Sequence, residues 1–322
     1  MKKIFIKILY NLFPTYYYIQ KEKKQKLLKL VRYLLKRNNT FEYIFEKSKI
    51  YFSQKEFYSF EVFSLSFPKI EELGLIKIIK YFKIHHNIKF AFDIGSSIGF
   101  YSLLLSKINN VKVYSFEPFS ETAKILKENI ILNKSNNIIL NQIAISSKKK
   151  EGTLLFDKVY SLPSNSTNIL EQNIINNRNF NEKIKVVSLE TFCEQNNIRE
   201  IDFLKIDVEG EEYSIFENSE KLLKKFKPMI YLELHKIMEH KSTKLLKILV
   251  KNNYDVHLIY NPDNGVIFKN LADVEINLKK NSLFMNIDIT NQNLLNKLDQ
   301  LNNYQVFAVN NLRKNIDLNK IC

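Results

Sequence analysis

The chain has 322 residues, of which 45% are hydrophobic, 26% charged and 13% aromatic, and this composition excludes wholesale disorder. Six glycines and six prolines exclude a collagen-like or linker-dominated chain. Two cysteines cannot make a disulfide framework or a four-cysteine zinc site. A reducing compartment is the simplest interpretation, and we expect a cytoplasmic protein.

The formal net charge is +15, from 49 Lys and Arg against 34 Asp and Glu. A basic chain suits anionic partners such as nucleic acid, a membrane surface or an anionic glycan. The chain is also rich in Lys, Asn and Ile, as in "ILNKSNNIIL", which is typical of codon bias in an AT-rich genome. The composition favours codon bias as the cause of the positive charge, so the charge by itself does not indicate a partner.

Residues 1–84 are predicted to form a basic, mainly helical N-terminal extension. Between Lys21 and Arg37, apolar residues fall on one stripe of a helix and lysines on the rest. This helix fits either packing on the next domain, which we favour, or peripheral contact with a membrane surface. The first residues show no cleavage site of a signal peptide, and no run reaches the ~18 apolar residues of a spanning helix.

Residues 85–288 show short apolar runs that alternate with helical patterns. The strand candidates are "IKFAFDIG", "VKVYSFEP", "IILNQIAIS", "IDFLKIDVEG" and "KPMIYLELH", followed by a hairpin "YDVHLIYNPDNGVIFKN" that turns at residues 263–265. The alternation predicts an α/β fold with a doubly wound, mostly parallel sheet and an antiparallel edge hairpin. "SETAKILKENIILNK" is predicted as a helix capped by Ser120.

Two segments are predicted to lie outside this regular pattern. Residues 151–185 are polar and rich in asparagine, which indicates a long loop or lid. Residues 289–322 are predicted as a C-terminal tail with one helix and one short strand or arm.

Polar residues follow the first two predicted strands, at the sheet edge where doubly wound folds bind ligands. The first strand ends in Asp93-x-Gly95-x-x-x-Gly99, where glycines permit a tight turn and a close approach to a ligand. The absence of Gly-x-Gly and the acid, which would repel a diphosphate, disfavour a nicotinamide dehydrogenase and favour a ligand with a positive end, such as S-adenosylmethionine. Glu117 ends the next strand, where its carboxylate could accept hydrogen bonds from both ribose hydroxyls, and the third strand ends near Ala144.

The fourth and fifth predicted strands carry a second group of charged residues. Lys205, Asp207 and Glu209 alternate and so share one face, and three charges in an apolar run call for a reason because unpaired buried charge is costly. An ion pair of Lys205 with Asp207 that only stabilises the fold is the alternative interpretation. Glu233 and His235 have the same spacing at the end of the fifth strand.

Four successive motifs, "FDIGSSIGFYSLLLS", "VYSFEPFSETAKILKENIILN", "IDFLKIDVEGEEYSIFENS" and "MIYLELHK", resemble in order the FkbM-type family of S-adenosylmethionine-dependent methyltransferases. The resemblance covers roughly residues 88–240. It implies a seven-strand sheet of the methyltransferase (Rossmann-like) type and O-methylation, commonly of a sugar or polyketide hydroxyl.

Carried over by position, the resemblance implies cofactor contacts from the acid and glycines of the first turn and from the acid after the second strand, namely Asp93, Gly95, Gly99 and Glu117. Ser97 stands where the family usually has Asn and keeps a hydrogen-bonding group. Asp207, its neighbouring acids and His235 would line the acceptor side.

His235 is the first candidate for a general base, because an unperturbed imidazole with a pKa of ~6.5 is largely neutral near pH 7. Asp207 is the rival base, or it orients the histidine, or it binds a divalent ion with Glu233. Hard oxygen ligands would suit Mg²⁺, and the sequence leaves metal use open.

The expected acceptor is a glycan or another small hydroxylated molecule. Nucleic acid is disfavoured because "DVEG" follows the fourth strand, where two acids would repel phosphate. Two alternatives stay open: a nucleic-acid methyltransferase, suggested by the charge and the aromatic residues, and a non-catalytic binding protein with the same fold. The intact acid–glycine turn argues against the second.

Overall fold

A computed structural model describes residues 40–45, 48–53, 73–85, 88–147, 150–156, 180–208, 210–217, 219–235, 241–259, 284–299, 303–313 and 316–321. The predicted helix of residues 21–37, Glu209 and the predicted hairpin turn at residues 263–265 lie outside these described residues.

The described chain forms thirteen strands and eight α-helices, followed by a 3₁₀ turn at Leu318–Ile321. The strands are β1 Thr40–Phe45, β2 Ser48–Ser53, β3 Phe90–Ile94, β4 Lys112–Phe116, β5 Ile138–Asn141, β6 Ala144–Ile145, β7 Lys150–Phe156, β8 Phe180–Val187, β9 Phe203–Ile206, β10 Met229–His235, β11 Tyr254–Ile259, β12 Phe284–Asn286 and β13 Asn303–Asn310. The helices are α1 Leu73–His85, α2 Phe100–Leu105, α3 Ser120–Leu132, α4 Leu189–Gln195, α5 Glu212–Phe216, α6 Glu220–Phe226, α7 Lys241–Lys251 and α8 Gln292–Leu298. Among these helices, none is long and apolar enough to cross a membrane.

The main sheet has the strand order β12-β11-β13-β10-β9-β3-β4-β5. The five strands from β5 to β10 in this order pair in parallel, whereas β13, β11 and β12 pair antiparallel. This arrangement confirms the predicted mostly parallel sheet with an antiparallel edge. The three-residue strand β12 extends the predicted seven strands at that edge.

Both faces of the main sheet are buried, each against its own apolar core. Successive side chains of a strand point to opposite faces, so Leu204 and Ile206 of β9 enter one core while Phe203 enters the other. The helices α4 to α8 cover the first face, and α1 and α2 cover the second. The near-continuous apolar runs predicted as strands suit this double burial.

The third predicted strand and the predicted loop differ from the structure. "IILNQIAIS" divides into β5 in the main sheet and β6 in a separate three-strand sheet of order β6-β8-β7. Strands β7 and β8 occupy both ends of the segment predicted as a loop, and residues 157–179 between them lie outside the described residues. Along β8, exposed Lys183 and Lys185 alternate with buried Ile184 and Val186, which is the pattern of a half-buried strand.

The N-terminal extension contains an antiparallel pair, β1 and β2, in a region predicted to be mostly helical. The backbone N–H groups of Tyr51 and Ser53 on β2 donate to the side-chain oxygens of Asn133 and Asn129 at 2.7 and 2.8 Å. These two asparagines lie at and just past the end of α3, so β2 is bonded directly to the domain. The tertiary contact with α3 satisfies the unpaired edge of β2 and favours the strand over the helix.

The segment predicted as a C-terminal tail contributes an inner strand of the sheet. Strand β13 lies between β10 and β11 and pairs antiparallel with both. Just beyond it, the guanidinium of Arg313 donates to the Lys227 carbonyl at 2.6 Å and pairs with Asp202 at 3.3 Å. The predicted boundary at residue 289 therefore separates a strand from the sheet that it completes.

Helix α3 begins at Ser120 itself, and the residue in the cap position is Phe119. The carboxylate of Glu182 on β8 accepts the Ser120 N–H at 3.1 Å and the Ser120 hydroxyl at 2.9 Å. A negative charge at a helix N-terminus is favourable, so an acid from the small sheet does what the predicted serine cap would have done.

Candidate active site

The turn between β3 and α2 holds three residues with positive φ: Gly95 (+77°), Ser97 (+47°) and Gly99 (+89°). A Cβ atom on Gly95 would lie 1.7 Å from the backbone oxygen of Asp207, and one on Gly99 would lie 2.1 Å from Cδ1 of Leu126. The predicted need for glycine here therefore arises from the close packing of the turn on the end of β9 and on α3.

Asp93 lies beneath this turn and is wholly buried. Its Oδ2 accepts a hydrogen bond from the Ser102 hydroxyl at 2.5 Å, and its Oδ1 lies 3.3 Å from Nζ of Lys205. The same Nζ donates to the Gly95 carbonyl at 2.9 Å and lies 3.3 Å from Oδ2 of Asp207. Lys205 thus joins the ends of β3 and β9 to the glycine turn, and the ion pair considered as the structural alternative is present.

Lys205 is a buried cation whose charge is balanced locally. Burial opposes that charge, but the nearby carboxylates of Asp207, Asp93 and Glu233 outweigh it and hold the pKa of Lys205 above its ordinary value. Lys205 therefore stays charged at neutral pH and stabilises the buried carboxylate of Asp93. Direct contact of Asp93 with a cofactor stays a prediction.

Replacing Lys205 by methionine is expected to lower the free energy of unfolding by about 3–5 kcal/mol, because removing one partner leaves a buried charge uncompensated. Urea denaturation measures this loss. The matched control is Lys224→Met, which removes an exposed ion pair to Glu220 and should change the free energy of unfolding far less. Equal effects of the two substitutions would contradict a buried charge network.

Glu117 lies directly after β4 and is held in place by three donors. Its carboxylate accepts the Thr122 hydroxyl at 2.7 Å, the Ser97 N–H at 2.8 Å and the Phe119 N–H at 3.0 Å. Burial raises the pKa of Glu117, while these hydrogen bonds and the charge of Lys205 act in the opposite direction. A carboxylate offers about four acceptor positions, and the three donors fill three of them. One acceptor position of fixed direction therefore remains beside the glycine turn.

His235 at the end of β10 lies between two carboxylates. Its Nδ1 is 2.8 Å from Oε1 of Glu212, which is wholly buried at the start of α5. Its Nε2 is 3.8 Å from Oδ1 of Asp207, too far for a hydrogen bond. The side chains of His235 and Asp207 are 14% and 26% exposed, so both reach the surface of the site.

Glu212 was not among the residues that the sequence analysis singled out. The available signal was an acid in the first turn of a helix, two residues after Gly210, a position where a carboxylate can accept backbone N–H groups. In the structure, Val208 N–H and Gly210 N–H donate to Glu212 at 3.3 and 3.1 Å.

Glu233 lies on the same face of β10 as His235 and is partly buried. Burial and the charge of Asp207 raise the pKa of Glu233 to about 7, against the opposing effects of His235 and Lys205. The amide of Gln305 on β13 lies 3.4 Å from Oε1 of Glu233, a contact that the predicted tail supplies.

The remaining predicted residues are less central in the described structure. Ala144 begins β6 and is buried with Phe119, Ile184 and Val186. Glu209 lies outside the described residues. Within the described part of the chain, no three His, Cys, Asp or Glu side chains form a group that could hold a metal ion.

The structure therefore brings Asp93, Glu117, Lys205, Asp207, Glu233 and His235 to the carboxyl edge of the parallel strands, as the strand pattern predicted. One part of this edge is a glycine turn with a fixed carboxylate beside it. The other part is an imidazole oriented by a buried acid. Such an imidazole can accept a proton from a bound hydroxyl.

A family model described as "Methyltransferase FkbM domain" matches residues 93–256, just over half of the chain. A search of curated proteins found no match. Among solved structures, the precorrin-6y C5,15-methyltransferase of Geobacter metallireducens is 11% identical, with a TM-score of 0.36 over 73% of this chain and 88% of that one.

Two further solved structures are similar at the same level. The methyltransferase FkbM of Methylobacillus flagellatus is 14% identical, with a TM-score of 0.35 over 61% of this chain and 56% of that one. A Streptococcus mutans protein described as a methyltransferase, solved in complex with SAH, is 9% identical, with a TM-score of 0.35 over 69% of this chain and 88% of that one.

Proposed function

The chain belongs to the FkbM methyltransferase family, and from that premise we propose that it transfers a methyl group from S-adenosylmethionine to a hydroxyl of a glycan or a similar small acceptor. The observation that carries the proposal is the imidazole of His235, held 2.8 Å from a buried carboxylate at the strand edge that also contains the glycine turn. A hydroxyl acceptor needs a group that removes its proton, and in this proposal the imidazole of His235 does so.

The residues around the glycine turn fit such a methyl donor. Glu117 would accept a ribose hydroxyl, because its carboxylate is fixed by three donors and keeps one acceptor position. The Ser96 hydroxyl in the same turn is buried and has no hydrogen-bond partner among the described residues, so it could bond a ligand. When bound, S-adenosylmethionine supplies an electrophilic methyl group on a cationic sulfur.

His235 supplies the base in this proposal. Its Nε2 accepts the proton of the acceptor hydroxyl, while Glu212 holds the ring by Nδ1. A positioned general base contributes roughly 10²–10⁴-fold to such a reaction. Asp207, whose Oδ1 is 3.8 Å from Nε2, lies close enough to stabilise the imidazolium that forms.

The charge of the acceptor side supports a neutral hydroxylated acceptor over nucleic acid. Asp207 and Glu233 are both partly exposed at this edge, whereas the nearby cation Lys205 is buried and already paired. The carboxylate of Asp207, joined by Glu233 when that group is ionised, would repel a phosphodiester, but both side chains can accept hydrogen bonds from sugar hydroxyls.

Replacing Glu117 by alanine is expected to weaken binding of S-adenosylhomocysteine at least about tenfold, because a hydrogen bond to a charged group contributes about 1.5–3 kcal/mol. Isothermal titration calorimetry on the full chain measures the change. Glu121→Ala, an exposed acid on the first turn of α3, is the matched control and should leave the affinity unchanged. Wild-type protein that binds no S-adenosylhomocysteine would contradict the proposed function, and equal affinities of the two variants would contradict the role of Glu117.

The acceptor class is tested by incubating the chain with labelled S-adenosylmethionine and, in parallel, neutral oligosaccharides, anionic oligosaccharides and RNA. We expect label in the neutral sugars. Transfer to RNA, accompanied by a gel shift that weakens steeply with salt, would instead support the nucleic-acid alternative.

A further inference from the structure

We propose that Glu212 is a positioning residue that holds His235 in the Nδ1–H tautomer and thereby makes Nε2 its proton-accepting atom. The use of Nε2 as a base rests on the proposed function. The tautomer itself does not, because it follows from contacts within the chain.

Glu212 acts as an acceptor in each backbone contact that it makes. Its carboxylate receives the N–H of Val208 at 3.3 Å and the N–H of Gly210 at 3.1 Å. Backbone N–H groups can only donate, so the carboxylate oxygens face two donors before the imidazole is considered. The oxygen that faces Nδ1 of His235 at 2.8 Å is one of these acceptors, and the hydrogen of this third contact therefore belongs to Nδ1.

The opposite tautomer would be unfavourable at this position. It would place the lone pair of Nδ1 against a carboxylate oxygen that is wholly buried. A buried acceptor that faces another acceptor loses its hydrogen bond without regaining water. The neutral imidazole therefore carries its hydrogen on Nδ1 and leaves Nε2 with a lone pair.

Acidic side chains lie on both sides of the ring. Glu212 on α5 faces Nδ1, Oδ1 of Asp207 after β9 lies 3.8 Å from Nε2, and Glu233 lies two residues earlier on β10. Because Glu212 also holds the backbone between β9 and α5, one carboxylate sets both the orientation of the ring and the shape of the loop beside it.

The tautomer is measured by NMR on the full chain with ¹⁵N-labelled histidine rings, at a pH where the imidazoles are neutral. A spectrum of His235→Gln assigns the signals of His235 among the five histidines. In the wild-type protein we expect at least about a tenfold excess of the Nδ1–H form. Only this form makes the hydrogen bond to the charged carboxylate, and the free energy of such a bond corresponds to at least about a tenfold ratio. A predominant Nε2–H form would overturn the inference without any variant.

The variant Glu212→Met tests the cause of this preference. It removes the acceptor that faces Nδ1, so we expect the excess of the Nδ1–H form to fall at least about tenfold or to reverse. Glu217→Met, which changes an exposed acid just past the end of α5, is the matched control and should leave the tautomer unchanged. A folded Glu212→Met protein that keeps the wild-type tautomer would refute the role of Glu212.

Binding of S-adenosylhomocysteine separates this inference from the proposed function. Glu212→Met should bind it within about twofold of wild type, since the glycine turn and Glu117 are unchanged. An Nδ1–H tautomer in a wild-type protein that binds no donor would sustain the positioning role and reject the proposed function. An Nε2–H tautomer in a wild-type protein that does bind the donor would reject the positioning role alone.

Discussion

Replacement of His235 by alanine is expected to reduce methyl transfer at least about 100-fold, because it removes the general base from the acceptor hydroxyl. The affinity for S-adenosylhomocysteine should stay within about twofold, since His235 lies at the end of β10 and the fixed carboxylate of Glu117 lies after β4. Single-turnover transfer to the acceptor identified above measures the chemical step, and calorimetry measures donor binding.

The matched control is His85→Ala, an exposed histidine at the end of α1 that should transfer methyl groups at the wild-type rate. Asp207→Asn distinguishes the rival base. Near-normal turnover in His235→Ala, together with a large loss in Asp207→Asn, would assign proton removal to Asp207 and contradict the role proposed for the imidazole.

Replacement of Gly95 by alanine is expected to lower the free energy of unfolding by about 3 kcal/mol or more and to abolish donor binding. The new Cβ would lie 1.7 Å from the backbone oxygen of Asp207, and the φ of +77° disfavours any residue with a side chain. The turn can relieve this overlap only by moving away from β9, which would also break the bond from Lys205 to the Gly95 carbonyl. Urea denaturation and calorimetry measure the two effects.

Ser97→Ala, in the same turn, is the control for stability. Ser97 is exposed and already adopts positive φ with a side chain, so the substitution should change the free energy of unfolding by less than about 0.5 kcal/mol. If the Gly95→Ala protein proved as stable as the Ser97→Ala protein, this would contradict the close packing of the turn on the end of β9.

The strand edge that contains the site could be predicted because its signals are local. Each apolar run ends in a polar residue, and the alternation of strands with helices places those ends at one edge of a parallel sheet. Asp93, Glu117 and His235 were found in this way. Glu212 was not found, because it lies on a helix and its importance depends on a contact with a strand 23 residues further along the chain.

The N-terminal and C-terminal segments show where local patterns were insufficient. The sequence of β13 is an ordinary short apolar run, and its inner position depends on pairing with β10 and β11. Likewise, β1 and β2 lie in a segment with a helical pattern, but the asparagines at the end of α3 bond the backbone of β2. In the N-terminal segment, distant hydrogen bonds outweighed the weak local preference, whereas the C-terminal strand was predicted and only its place inside the sheet was not.

The amino-acid sequence by itself determined the type of sheet and which acids stand at the ends of its parallel strands. Side-chain alternation and glycine turns are properties of neighbouring residues, so they can be recognised without the fold. Only the tertiary structure decided what each acid meets: Asp93 is paired with Lys205, and His235 with Glu212. Asp93 and Lys205 are opposite each other only because β3 and β9, far apart in the chain, pair in one register. Register and burial are set by the packing of the whole sheet. They determine which carboxylates are paired within the protein and which can contact a ligand.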